Sequence, residues 1–190
     1  MMEQTCFLSL LRARLNGSPL IDLPTEAQWE FACRAGTTTQ LFSGKNLLHA
    51  AWEGDDNLKV LGRSRRSGGY IDGVTAPDAT TPASQGGTAR VGSYLPNAYG
   101  LYDMLGNVNE WCLDYYEPYA ADAVEEPAGP ERHNDNWKRV VRGGNWSDKC
   151  RYCRCASRGD FGVGDSGRNP NPNYGTMTRY YGFRLCLTEE

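Results

Sequence analysis

The apolar positions of this chain fall into two helical stripes, a few short alternating runs, and long stretches with no period. Between Glu3 and Leu15, Phe7, Leu8, Leu11 and Leu15 form one stripe with Arg12 and Arg14 off it. This spacing predicts an amphipathic helix that Gly17 stops. A second helix is signalled by its ends. Leu23-Pro24 leads into Thr25, a capping residue, and Gln28 follows three positions later to complete a capping box. Trp29, Ala32 and Cys33 then share a face, and Gly36 is the expected left-handed stop. Ala89–Tyr94, Trp111–Tyr116, Arg139–Arg142 before Gly143-Gly144, and Gly182–Leu187 read as short strands. From Thr37 to Arg90, and again from Glu117 to Asn136, the sequence is loop-like. Within the first of these, the basic cluster Arg63-Ser64-Arg65-Arg66 and the Thr-, Pro- and Gly-rich run Thr75–Gly87 are expected on the surface. Two helices, short strands and much loop give an α+β class.

Two stretches stand out from this background. Residues 97–111 concentrate carboxylates, amides, glycines and aromatics. Apolar residues at Leu101, Met104, Leu105, Val108 and Trp111 have helical spacing, but Gly100, Gly106, Asn107 and Asn109 break it. The oxygens of Asp103, Asn107, Asn109 and Glu110, with freed carbonyls, suit a hard ion such as Ca²⁺. The same residues also suit a turn whose Asn and Asp side chains bond their own backbone. In the second stretch, from Asn145 to Tyr181, there is no Leu and no Ile. Such a stretch cannot supply core, but its Tyr, Ser, Gly, Asn and Arg are the residues from which antibody combining loops are built. With strand signals at both ends, it is either a held binding surface or a plain loop.

Composition narrows the partners. The 190 residues suit one domain, and 39% hydrophobic with 23% charged residues supports a packed core. A net charge of −3 without a basic stripe argues against nucleic acid. No apolar run is long enough to span a membrane. The N-terminal residues lack a basic n-region, so a cytoplasmic chain without a signal peptide is expected. Seven cysteines, several among apolar neighbours, suggest reduced, buried thiols. No Ser-His-Asp set, phosphate loop or zinc motif is apparent, and His49 and His133 lie in loop-like sequence.

Five motifs then occur in one order: Leu23-Pro24-Thr25-Glu26-Ala27-Gln28-Trp29-Glu30-Phe31-Ala32, Pro96–Met104, Gly106-Asn107-Val108-Asn109-Glu110-Trp111, Arg142-Gly143-Gly144-Asn145-Trp146 and Gly182-Phe183-Arg184. Across Cys6–Leu187 the chain resembles the formylglycine-generating enzyme (sulfatase-modifying factor) family. The resemblance implies a single domain, residues 1–190, with a variant of the C-type lectin fold. It implies calcium ligands at Asp103, Gly106, Val108 and Glu110, the middle two through backbone carbonyls. Asn109 stands where the family usually has Trp, and Ala50-Ala51-Trp52 departs from a second family calcium site. The family's oxidases hold Cu(I) between two cysteines, soft ligands for a soft ion. Cys150 matches the second of these, and the first is missing near Ser147. That departure argues against an enzyme, although Cys153 and Cys155 stand close by; on a strand these two share a face opposite Cys150. The family's strand before the first helix is also missing, so Phe183–Leu187 is expected to lack its partner and expose an edge.

The same scaffold displays the variable segment of diversity-generating-retroelement proteins, between a Gly-Gly-x-Trp turn and a Gly-Phe-Arg strand. Residues 145–181 occupy that place, and Asn, Asp, Ser, Tyr, Gly, Arg and Cys are reachable from Asn codons by changing adenines. The expected function is therefore a module that binds a protein or surface ligand, displayed on a phage or surface assembly. Its contact residues are Trp146, Asp148, Tyr152, Arg154, Asp160, Phe161, Asn171, Asn173, Tyr174, Arg179 and Tyr180. The alternative is a formylglycine-generating oxidase with Cys150 as its thiol.

Overall fold

The structure, a computed structural model, describes residues 7–15, 21–48, 54–65, 70–71, 74–75, 87–119, 138–162 and 180–187. In 70–71, 74–75 and 160–162 it describes the backbone alone. The helices are α1 (Phe7–Arg14) and α2 (Glu26–Arg34). The strands are β1 (Ile21–Asp22), β2 (Tyr70–Ile71), β3 (Val74–Thr75), β4 (Asn109–Tyr115), β5 (Lys138–Arg142), β6 (Arg158–Gly162), β7 (Tyr181–Gly182) and β8 (Cys186–Leu187). A four-stranded sheet in the order β6-β5-β4-β7 is the frame, with two-stranded pairs β1-β8 and β2-β3 beside it. Strand β7 runs parallel to β4, and the other neighbours are antiparallel.

Helix α2 begins as its sequence predicts. Thr25 Oγ1 accepts from the Gln28 N–H at 3.2 Å, and Gln28 Oε1 accepts from the Thr25 N–H at 2.9 Å. The turn to positive φ starts one residue before the expected stop, at buried Ala35 (φ 46), and Gly36 continues it (φ 89). Asp114 Oδ2 accepts from the Glu26 N–H at 2.6 Å, so β4 supplies a second anchor for the helix N-terminus. The period of two in β4 sorts its residues: Glu110, Cys112 and Asp114 are buried, and Asn109, Trp111, Leu113 and Tyr115 are half-buried on the opposite face. Trp29 and Cys33 join Leu41, Leu58, Met104, Leu105, Cys112 and Val140 in the core.

Helix α1 has no buried residue. Leu8 and Leu11 are half-buried, and Phe7 meets Phe183 with ring centroids 5.4 Å apart. Arg12, expected off the stripe, instead ties the helix to β1 through Asp22 (2.6 Å) and the Ile21 carbonyl (2.9 Å).

Several expectations are corrected. Ala89–Tyr94 is not a strand. Gly92 has φ 75, and the segment hangs on Asn107, whose side-chain amide exchanges hydrogen bonds with the backbone of Ala89. The expected last strand divides into β7 and β8, and β8 has its partner in β1, with Cys186 opposite Asp22. Arg63 and Ser64 are buried rather than solvated; Arg63 hydrogen-bonds Tyr94. Hairpin β2-β3 lies within the expected loop. Strand β6 crosses the Leu- and Ile-free stretch, where its residues carry no apolar alternation. Finally, that stretch does supply core, because Cys150, Cys153 and Cys155 all pack inside.

Candidate functional site

Residues 103–110 form the junction of the frame. Gly106 (φ 75) donates its N–H to the Gly143 carbonyl at 2.7 Å, and a Cβ there would stand 2.1 Å from the Arg63 carbonyl oxygen. Only glycine fits so close an approach. Asn107 donates its N–H to the Arg63 carbonyl at 2.8 Å and accepts the Trp146 N–H at 2.9 Å. Glu110 accepts from Trp29 Nε1 at 2.7 Å and takes Arg184 on both oxygens, at 2.5 and 2.7 Å. One carboxylate thus joins α2, β4 and the segment after β7.

This geometry bears unevenly on the four expected calcium ligands. Asp103 is buried, with Oδ2 accepting from the Gly92 N–H at 2.6 Å and Oδ1 left without a partner. That orphaned oxygen fits a hard cation. Glu110 is already neutralised by Arg184, and it reaches a cation only by giving up that pair. Among the described residues, no three His, Cys, Asp or Glu side chains stand together as a metal-binding group.

Behind α2 a second buried network locks β5 and β6. Arg142, fully buried, pairs with Glu30 and Glu26 and donates to the carbonyls of Ser157 (2.7 Å) and Cys155 (2.8 Å). Arg158 holds Glu26 through two bonds of 2.6 and 2.7 Å, and its guanidinium stacks on Tyr116 and Tyr119.

The opposite face of the sheet carries a cleft of about 230 Å³. Its floor takes one residue from each strand: Gly159 of β6, Val141 of β5, Asn109 of β4 and Tyr181 of β7. Ladder register brings them together, since Gly159 pairs with Val141 and Asn109 with Tyr181. Gly144, Asp148, Tyr152, Ser157 and Arg158 complete the lining. The rim is a tight turn. Asp148 Oδ2 accepts from the Asn145 N–H (3.0 Å) and Nδ2 (2.8 Å), and Asn145 Oδ1 accepts from the Ser147 N–H at 2.8 Å. Gly144 (φ 74) packs so closely that a Cβ would meet Cys153 Sγ at 2.8 Å. The 3₁₀ turn Cys150–Tyr152 follows and turns Tyr152 outward, 44% exposed.

The expected contact residues divide. Asp148 and Tyr152 line the cleft. Trp146 stacks on Tyr180 at 5.1 Å, and Arg154 folds back to donate to the Arg151 carbonyl at 2.6 Å. Asp160 and Phe161 lie in β6 opposite Val140 and Arg139. Asn171, Asn173, Tyr174 and Arg179 lie outside the described residues. Sequence reasoning missed Val141, Ser157, Arg158, Gly159 and Tyr181, and it read Asn109 as a candidate ion ligand and a departure from the family's Trp, not as part of a cleft. The one signal for Asn109 was its parity with Trp111, which puts it on the outward face.

The cysteines lie beneath this surface. Cys150, Cys153 and Cys155 occupy a turn rather than a strand, each at most 1% exposed. Burial pushes the Cys153 and Cys112 thiols well up. Burial, helped by a hydrogen bond with Cys155, holds the Cys33 thiol high, and the same bond holds the Cys155 thiol low. Cys150 Sγ lies 3.5 Å from Ser64 Oγ.

Comparison with known proteins defines the class. A profile of the sulfatase-modifying factor enzyme 1-like domain matches residues 8–186, and the chain belongs to that family. It is 35% identical over 139 residues to the formylglycine-generating enzyme of Mus musculus, covering 72% of this chain and 34% of that protein. It is 34% identical over 165 residues to the serine/threonine-protein kinase pkn1 of Chlamydia pneumoniae, covering 86% of this chain and 20% of that one. Among solved structures, Treponema denticola variable protein 1 superposes with a TM-score of 0.61 at 28% identity, covering 89% of this chain and 48% of that one. The fold is thus that of the formylglycine-generating enzymes, a C-type-lectin-like α+β arrangement. The chain spans less than half the length of each of these relatives. Among the described residues, no helix is long and apolar enough to cross a membrane.

Proposed function

We propose that this domain is a ligand-binding module whose contact surface is the outward cleft and its rim, with a protein as the partner. The observation that carries the reading is the split between the two sides of residues 145–155. The thiols face the core, while Asp148 and Tyr152 line an open cleft and half-buried Trp146 stacks on Tyr180. An oxidase needs paired thiols that a substrate can reach, and Cys150, Cys153 and Cys155 are all buried. A partner-binding surface needs stiff aromatic side chains on a fixed turn, which is what the Gly143-Gly144 turn and the 3₁₀ turn provide. The likeness to Treponema denticola variable protein 1 supports display of a variable segment on this frame. A calcium ion at Asp103, with the carbonyls of Gly106 and Val108, is the expected prop of that frame.

The test is selection of binders from a phage-displayed peptide library on the full chain. Selected peptides should lose about tenfold or more in affinity when Tyr152 or Tyr180 is replaced by Ala, with Tm unchanged. Peptides indifferent to both changes would remove the surface assignment. In parallel, the chain is incubated with Cu(I), oxygen and a Cys-x-Pro-x-Arg peptide. No aldehyde should appear in the mass spectrum, and its appearance would favour the oxidase. A near-copy of the coding segment differing at adenines, beside a reverse transcriptase, is the expected genomic sign of variability.

A further inference from the structure

The lining of the cleft has an electrostatic asymmetry. Two charged residues line it, Asp148 and Arg158. Arg158 is committed, held by both oxygens of Glu26 and stacked on two tyrosine rings. Asp148 is not. Its Oδ2 accepts from Asn145 alone, and no Lys or Arg among the described residues pairs with it. It is a half-buried carboxylate at the rim of a hollow, with no counter-ion among the described residues. Around it stand two tyrosines. Tyr152 is exposed, and Tyr181 packs on Trp111 with centroids 5.6 Å apart. At the floor, the Asn109 side-chain amide bonds no other described residue, and Gly159 adds no side chain. About 230 Å³ is smaller than a typical small-molecule pocket and suits one inserted side chain.

We infer that the cleft receives the cationic end of a lysine or arginine side chain from the partner, with Asp148 as counter-ion, Tyr152 and Tyr181 as aromatic walls, and the Asn109 amide oxygen as acceptor at the floor. Each part matches what a cation needs. A half-desolvated carboxylate gains from a charge-assisted hydrogen bond, and aromatic faces attract a cation within about 6 Å. An anionic group would meet the Asp148 carboxylate inside the cleft, while the nearby Arg151 guanidinium is engaged with Tyr152, 4.7 Å from its ring centroid and bonded to its hydroxyl. A purely apolar group would desolvate the Asn109 amide and the Asp148 carboxylate without adding a hydrogen bond to either. This assignment rests on the ligand-binding reading and adds the chemistry of the group recognised.

The experiment uses peptides selected on the full chain. They should share a Lys or Arg at one position, and its replacement by norleucine should weaken binding by about tenfold or more. Asp148→Asn keeps an oxygen for Asn145 and removes the charge. It should weaken the cationic peptides by the same factor and erase their advantage over the norleucine versions, with Tm unchanged. Asn109→Trp, which fills the floor, should block the same peptides. Binders that lack any cation, or an Asp148→Asn variant that keeps the full preference for Lys or Arg over norleucine, would overturn the cationic assignment while leaving the ligand-binding reading standing. A library that yields no binder would overturn that reading itself, and this assignment with it.

Discussion

At the scale of the residue, Glu110 carries the largest single load. It is buried, accepts from Trp29 Nε1, and holds Arg184 on both oxygens. Removing its charge leaves the Arg184 guanidinium without its partner, and breaking one side of a buried pair costs about 3–5 kcal/mol. Glu110→Gln should therefore lower the unfolding free energy by about that amount in urea titrations. A loss within about 0.5 kcal/mol would mean that the pair is as weak as a surface one. Asp114 tests a different balance. Burial, reinforced by Glu26, raises its carboxyl above the ordinary Asp value, against the opposing Glu26 N–H and Arg158. The folded state then binds the proton more tightly than the unfolded chain. Its contribution to stability is full below the unfolded pKa and is lost as pH rises through the folded one. Asp114→Asn keeps an oxygen for the Glu26 N–H and cannot titrate. Stability of the parent relative to this variant should rise as pH falls from 7 toward 4. Parallel curves across that range would remove the burial argument.

At the scale of the element, α2 shows what was legible in the sequence and why. Its capping box, apolar face and stop are local signals, and each appears in the structure within a residue of its expected place. Thr25→Ala removes one half of the box, so it should cost about 1 kcal/mol and lower Tm by roughly 2–4 °C in a domain of this size. A calorimetric Tm unchanged by the substitution would show that Asp114 alone holds the helix N-terminus. Strand β5 was equally legible, because Val140 and Val141 precede a Gly-Gly turn. Strand β6 was not: its Arg158-Gly159-Asp160-Phe161-Gly162 sequence has no alternation, and it forms because the edge of β5 offers a ladder. The basic cluster around Arg63 misled for a related reason. Its partner, Tyr94, lies 31 positions away, and no local pattern records that the two meet. The cleft was half legible. Asp148 and Tyr152 were found by composition, but the floor residues are defined by register across four strands, which spacing along one chain does not show.

At the scale of the whole molecule, residues 103–110 are where the otherwise separate parts meet. Asp103 reaches Gly92, Gly106 fits between Arg63 and Gly143, Asn107 ties Ala89 to Trp146, and Glu110 joins α2 to the segment after β7. The cleft rim therefore depends on a turn that contains a buried carboxylate oxygen with no partner. A cation at Asp103 would satisfy that oxygen and stabilise the folded state alone, by RT ln(1 + [L]/Kd). Added CaCl₂ should then raise Tm by roughly 5–10 °C at about a hundredfold excess over Kd, and EDTA should reverse it. Asp103→Asn should abolish the response. Because Glu110 is already paired with Arg184, Glu110→Gln should keep a calcium-dependent rise, from a lower starting Tm, if Asp103 and the backbone carbonyls suffice. Loss of the response in both variants would mean that Glu110 leaves Arg184 for the ion. In that case calcium would rearrange the junction beneath the rim, and peptide affinity at the cleft should change with calcium as well. Equal Tm in EDTA and CaCl₂ for the parent chain would remove the ion from this turn and leave the hydrogen bonds and ion pairs as its only support.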